Sequence, residues 1–158
     1  MLTSTGLLAA YSEDNQRGII MALTFEHIHL ISADADAAAQ WYVDKLGAEI
    51  VRKSEVRGAS QINVNLGGAT LLVRSQRAGE APQSTNTMQH FEDYSSHNEW
   101  GVDHFGLVYD GDLRAYAEDL KAKGVTFLVE PYDFLPGAVI SYVAAPDNVS
   151  IEIVQGQG

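Results

Sequence analysis

An internal duplication constrains this sequence more than any other feature. His27 and His104 are 77 residues apart, and so are Gly47 and Gly124. At the same offset Leu30 falls on Leu107 and Ile50 on Phe127. Matched histidines, glycines and apolar positions mean that each half builds the same supersecondary unit.

Periodicity defines the unit. The stretch Asp34 to Leu46 predicts a helix: Asp34 or Asp36 caps it, Ala38, Trp41, Tyr42 and Lys45 keep a three-to-four spacing, and Gly47 ends it. Asp112 to Lys123 predicts a second, with Asp112 as cap, Leu113, Tyr116, Ala117 and Leu120 as apolar stripe, and Gly124 as stop. Strand-like runs precede them (Phe25 to Ile31, Val102 to Tyr109) and follow them (Ala48 to Lys53, Val125 to Glu130). Two more strands complete each half. In the first these are Gln61 to Leu66 and Ala69 to Arg74, joined by Gly67-Gly68. In the second they are Val139 to Ala144 and Val149 to Val154, joined by Pro146-Asp147-Asn148. The expected fold class is α+β: two βαβββ modules, over 23–75 and 101–158, with a polar linker or lid over 76–100 between them.

Residues 1–22 are unlike the rest. They read as an N-terminal arm that packs on the fold or on a second subunit, or as an extension upstream of a start at Met21. The apolar run Gly6 to Ala10 has no basic residue before it, which argues against a secretory signal. A cytoplasmic location is expected.

Composition excludes several functions. Ten Lys and Arg against 21 Asp and Glu give a net charge of -11. Such a surface repels phosphate backbones and anionic lipid, so neither nucleic acid nor membrane is an expected partner. A small anionic ligand held by a local cation stays open. The absence of cysteine rules out disulfides, thiolate catalysis and Cys-ligated metals. Any metal must be held by His, Asp and Glu.

Such a set is present. His27 and His104 take equivalent places at the first strand of each half, and Glu152 lies on the last strand between Ile151 and Ile153. Strand alternation packs the isoleucines under a helix and turns Glu152 to the opposite face. Two imidazoles and a carboxylate on facing sheets suit Fe(II), with Mn, Co, Ni or Zn as alternatives. The plain alternative for either histidine alone is a hydrogen-bonded core residue. Alternation also sends Gln61, Asn63 and Asn65 away from the helix, to line a pocket or a solvated sheet face. His29, two residues from His27, faces the same way and is a candidate acid or base, substrate contact or alternate metal ligand. His90 and His97 lie in the linker and read as solvated loop residues unless one lies over the site.

These segments resemble the vicinal oxygen chelate superfamily, which includes glyoxalase I, bleomycin-resistance proteins, fosfomycin-resistance enzymes, methylmalonyl-CoA epimerase and type I extradiol dioxygenases. The resemblance spans about Leu23 to Gln155. Its pieces are Phe25-Glu26-His27-Ile28-His29-Leu30, Lys45-Leu46-Gly47, Val102-Asp103-His104-Phe105-Gly106-Leu107 and Ala145-Pro146-Asp147-Asn148-Val149-Ser150-Ile151-Glu152. It implies paired modules curved into a cup around a metal held by His27, His104 and Glu152.

The departures narrow the chemistry. Leu72 stands where glyoxalase I carries a fourth, acidic ligand, and Ile31 where that enzyme tends to have arginine. The tail Gln155-Gly156-Gln157-Gly158 lacks the basic residues usual in fosfomycin transferases. Bleomycin-binding members usually lack the metal triad. Extradiol dioxygenases place a tyrosine on the strand before the glutamate, where this chain has Tyr142, and use a second histidine, a role open to His29 or His90. The tyrosine's plain alternative is packing. The resemblance therefore implies a metal-dependent enzyme acting on a small oxygenated substrate, extradiol-like first and lyase- or epimerase-like second. A protein that sequesters a drug or metabolite is the alternative from another class. A homodimer with one metal per subunit is expected, because two modules make a cup within one chain or across a two-fold axis.

Overall fold

The computed structural model describes residues 25–83 and 102–156. The N-terminal arm, His90, His97 and most of the linker lie outside the described residues. The order is β1 (Ile28–Ser32), α1 (Ala35–Leu46), β2 (Glu49–Val56), β3 (Ala59–Leu66), β4 (Ala69–Ser75), then β5 (Phe105–Tyr109), α2 (Leu113–Ala122), β6 (Thr126–Leu135), β7 (Ala138–Ala145), a 3-10 turn (Pro146–Asn148) and β8 (Val149–Gln155). This is βαβββ twice. Each half is one four-stranded sheet, ordered β1-β4-β3-β2 and β5-β8-β7-β6. In each, the first strand runs parallel to the last and the other pairs are antiparallel.

The helices start and stop where their caps require. The Asp34 carboxylate accepts from the Ala37 N–H at 2.9 Å, and Asp112 accepts from Arg114 and Ala115. Gly47 ends α1 in the left-handed region (φ 70), which a glycine adopts without steric cost. Each helix covers one sheet face. Ile62, Val64, Leu71 and Val73 lie under α1, while Val143, Ile151 and Ile153 lie under α2, and all join one core. Fully burying a side chain such as Leu71 or Ile151 contributes roughly 1.5–3 kcal/mol.

The modules meet through their last turns. Asp147, in the β7–β8 turn, accepts from the Ala33 N–H at 3.2 Å, just before α1. Reciprocally, Leu66 and Gly67 of the β3–β4 turn line a crevice with Leu107, Tyr109 and Tyr116 of the second half. The β7–β8 turn needs left-handed residues, and Asp147 (φ 59) and Asn148 (φ 61) supply them without glycine. Short polar side chains tolerate that region better than others do.

Three boundaries differ from expectation. The β2–β3 hairpin closes at Arg57 (φ 51) and Gly58 (φ 76), so both strands extend further. Positive φ at both turn positions is a type I′ geometry, here with an arginine at the first. β6 continues through Pro131 to Leu135. It is an edge strand with breaks in register near the proline, so the missing N–H interrupts no ladder on its open side. Finally, β1 and β5 start one residue after His27 and His104, which stand at the strand entrances. Among the described residues no helix is long and apolar enough to cross a membrane.

Candidate metal centre

Each of the two matched histidines follows an acid: Glu26 precedes His27 and Asp103 precedes His104. Each acid takes its histidine's Nδ1. Asp103 Oδ2 lies 2.7 Å from His104 Nδ1, and Glu26 Oε2 bonds His27 Nδ1. A carboxylate on Nδ1 fixes the ring's tautomer and orientation. That is what a metal-ligating imidazole needs.

On the second sheet, His104 Nε2 faces Glu152 Oε2 at 3.6 Å. Glu152 Oε1 accepts a 2.8 Å hydrogen bond from the Tyr142 hydroxyl. The His104 and Tyr142 rings meet edge to face, centroids 5.2 Å apart. Strand register produces this cluster. Tyr142 is the β7–β8 partner of Glu152, and Gly106 is its β5–β8 partner. A Cβ at Gly106 would stand 3.4 Å from Glu152 Oε2, in ordinary contact with that carboxylate. Tyr142 is buried, while the His104 and Glu152 side chains are each 20% exposed.

The first sheet has the same frame with different side chains. Leu72 is the β4 partner of both His29 and Asn63. It is thus the counterpart of Glu152, His29 of Gly106, and Asn63 of Tyr142. The first sheet brings no carboxylate to this place. The His27 and His29 rings are 5.8 Å apart, so His29 shares His27's side of the sheet. Lost hydration first, then the Arg74 guanidinium and His27, hold His29 below the ordinary histidine range. Gln61, Asn63 and Asn65 alternate with the core residues Ile62 and Val64, as expected. Asn65, however, caps the hairpin, its Oδ1 accepting from the Gly68 N–H at 3.0 Å. The Asn63 Oδ1 is buried with no hydrogen-bond partner among the described residues.

One chain joins His104 to Glu152 but does not bring His27 to them: among the described residues, no three His, Asp or Glu side chains converge closely enough for a metal. The donor chemistry nonetheless fits a divalent cation. Both imidazoles are oriented through Nδ1, and one oxygen of Glu152 is held by Tyr142 while the other faces His104.

Sequence reasoning passed over the two acids, although their pairing at the 77-residue offset was visible. It also passed over Arg74, which shares the face of Leu72 by simple alternation.

The comparisons agree with this architecture. A sequence profile described as the Glyoxalase/Bleomycin resistance protein/Dioxygenase superfamily matches residues 24–153. No curated protein matches the sequence. Among solved structures, a glyoxylase/bleomycin resistance protein/dioxygenase domain from Frankia sp. EAN1pec is 20% identical with a TM-score of 0.63, over 85% of this chain and 98% of that one. The fosfomycin resistance protein FosX from Listeria monocytogenes, complexed with Mn(II) and sulfate, is 17% identical with a TM-score of 0.56, over 88% of this chain and 95% of that one. A glyoxalase I mutant from Zea mays is 20% identical with a TM-score of 0.61, over 84% of this chain and 45% of that one. At such identities the structures speak to the fold alone. The profile spans most of the sequence and coincides with the two modules, so the chain belongs to the Glyoxalase/Bleomycin resistance protein/Dioxygenase superfamily.

Proposed function

We propose that the protein is a metal-dependent enzyme acting on a small substrate held through two neighbouring oxygens, with extradiol ring cleavage as the leading activity. One observation carries the reading: the linked set Asp103, His104, Glu152 and Tyr142, with Glu26 and His27 prepared in the same way on the other half. Leu72 in place of a fourth acidic ligand leaves a three-ligand set, as ring-cleaving dioxygenases use. Fe(II) is the favoured ion. The Mn(II) in the structure of FosX supports a divalent ion on this fold.

His27 reaches the centre from a second copy. β1 and β5 are both sheet-edge strands. They expose apolar residues at matched positions: Ile31 and Val108 on the strands, Phe25 and Val102 just before them. Unpaired, apolar edges favour association. A symmetric dimer would set each first module beside its partner's second module and repeat the contact, giving two equivalent centres.

A divalent ion held by His27, His104 and Glu152 would polarise two substrate oxygens as a Lewis acid and, as Fe(II), would open dioxygen chemistry. The chain's own residues do the rest. Asp103 and Glu26 aim the imidazoles. Tyr142 fixes one oxygen of Glu152, so the carboxylate presents the other. Gln61 and Asn63 offer carboxamides to the polar edge of the substrate. His29, beside His27, takes a proton from a substrate hydroxyl or returns it to the product. The same histidine placed near a carbon acid would serve a lyase or epimerase, which is the second reading.

The deciding experiment is anaerobic Fe(II) reconstitution, metal analysis, and a catechol panel under air, followed by methylglyoxal with glutathione. Metal near one per chain and a ring-cleaved product are expected. A chain that takes up no metal and binds aromatic compounds without turnover would overturn the enzyme in favour of a sequestering protein.

A further inference from the structure

The two sheets turn opposite chemistries away from their helices. On the second sheet, Val129, Ile140 and Tyr142 form a buried apolar cluster, with Val154 packed against it. On the first sheet the counterparts are polar. Arg74 stands where Val154 stands, and Gln61 where Ile140 stands, since each pair holds the same register in its own sheet.

Arg74 is the only buried charged residue among the described residues, at 9% exposure. A guanidinium carries five N–H donors in a planar fork. Of these, Nη1 alone has a described side-chain partner, Glu80 Oε2, at 3.2 Å. That carboxylate is held more closely by Arg77, whose backbone N–H donates at 2.8 Å and whose Nη1 donates at 2.9 Å. One carboxylate shared by two guanidiniums leaves a positive charge in excess. A buried cation so weakly matched is costly unless something completes it. Diagonally across the strand pair lies the buried, unpartnered Oδ1 of Asn63. Among the described residues, one face thus carries an unpartnered carboxamide oxygen and a guanidinium whose single carboxylate partner is shared, in a protein whose net charge is -11.

We propose that Arg74 is the anchor of a carboxylate-recognition site, and that the substrate pairs a carboxylate with an apolar or aromatic body. The carboxylate engages the Arg74 N–H groups that Glu80 leaves, a geometry that planar guanidinium matches bidentately. Asn63 contacts a neighbouring polar atom. In the proposed dimer the body lies against the apolar side of the second-module sheet, where Val154 stands, that the partner copy brings opposite. This substrate assignment rests on the metal-centre reading, but the anion site does not.

The test is calorimetry under argon on Mn(II)-loaded protein with catechol, 3,4-dihydroxybenzoate and its primary amide. The acid should bind about 10- to 100-fold tighter than the amide, the worth of a charge-assisted contact. Arg74→Met should erase that ratio and leave catechol binding unchanged. Glu80→Gln, a surface change that frees more of the guanidinium, should widen the ratio and keeps the test decisive if Arg74→Met does not fold. Equal binding of acid and amide by wild type, or a ratio that survives Arg74→Met or narrows in Glu80→Gln, overturns the proposal. Benzoate against benzamide on metal-free protein separates the two readings. If catechol fails to bind while benzoate keeps an Arg74-dependent preference, the metal centre is wrong and the anion site stands.

Discussion

Leu72 and Glu152 hold the same place in the two sheets, one opposite His29 and the other opposite Gly106. The duplicated frame has therefore diverged at two facing positions together. Where the last strand carries a carboxylate, the first strand carries a glycine. Where the last strand carries leucine, the first carries an imidazole. One half thus carries a carboxylate and the other an imidazole at this place, so the centre proposed above would have one acidic ligand rather than two.

The ligands and their supports should separate in a metal titration. Glu152→Ala and His104→Ala remove a donor, and bound metal should be lost even at high concentration. Tyr142→Phe removes only the hydrogen bond on Glu152 Oε1. A lost outer partner typically costs about 10- to 100-fold in metal affinity, so excess metal should restore occupancy. Asp103→Asn should behave like Tyr142→Phe. Full occupancy of Glu152→Ala at low metal would remove Glu152 from the ligand set.

Much of this was legible in the sequence because duplication and alternation are strong signals. The 77-residue offset fixed the order of elements, and Ile151-Glu152-Ile153 fixed which way Glu152 faces. The 3.6-residue stripe of Leu113, Tyr116, Ala117 and Leu120 placed α2 between Asp112 and Gly124. What escaped was set by partners far along the chain. The Arg57-Gly58 hairpin lacks the usual Asn-Gly or Asp-Gly cue. Pro131 reads as a strand end until β6 is known to lie at an edge. Asn65 looked equal to Asn63 by alternation, yet it spends its carboxamide on the Gly68 N–H. Periodicity gives no hint that His27 stays away from His104 within one chain, because the packing of one module on the other is a property of their surfaces.

The Arg77–Glu80 clamp should leave a pH trace. The Arg77 backbone N–H, then its guanidinium, hold the Glu80 carboxyl down at about 2, below its ordinary 4.5. A depressed folded-state value means that the stabilisation is present above pH 4.5 and fades as pH falls toward 2. Urea midpoints of wild type and Glu80→Gln should therefore differ by a constant amount above pH 5 and converge on acidification. A difference that grows in acid would show that the clamp does not hold the charged form.

Two buried hydroxyls should be dispensable. Tyr42 is 1% exposed and Ser141 0%, and neither hydroxyl has a hydrogen-bond partner among the described residues. Burial, with the nearby charge of Asp147, raises the Tyr42 phenol above its ordinary range. Leaving a buried polar group unpaired costs about 1–3 kcal/mol, so Tyr42→Phe and Ser141→Ala should each gain roughly 1 kcal/mol. At this chain length that is a rise in Tm of roughly 2–4 °C. A fall in Tm for both would mean that ordered water satisfies these groups.

Complementation decides whether His27 comes from a second copy. In an exchanged dimer, one centre takes His27 from the first subunit and His104 with Glu152 from the second, and the other centre takes the reverse. His27→Ala and Glu152→Ala homodimers are then each inactive, for both of their centres lack a ligand. Unfolded and refolded together, the two variants form mixed dimers in which one centre carries both lesions and the other carries none. Half the dimers are mixed and each has one intact centre, so about a quarter of wild-type activity and metal content should return. A centre assembled within one chain recovers nothing on mixing, because every chain keeps its own lesion. Recovery should also be absent for His104→Ala with Glu152→Ala, whose lesions fall on the same module and leave no intact pairing. Activity returning in that second mixture would mean that His104 and Glu152, 3.6 Å apart in one chain, serve different centres.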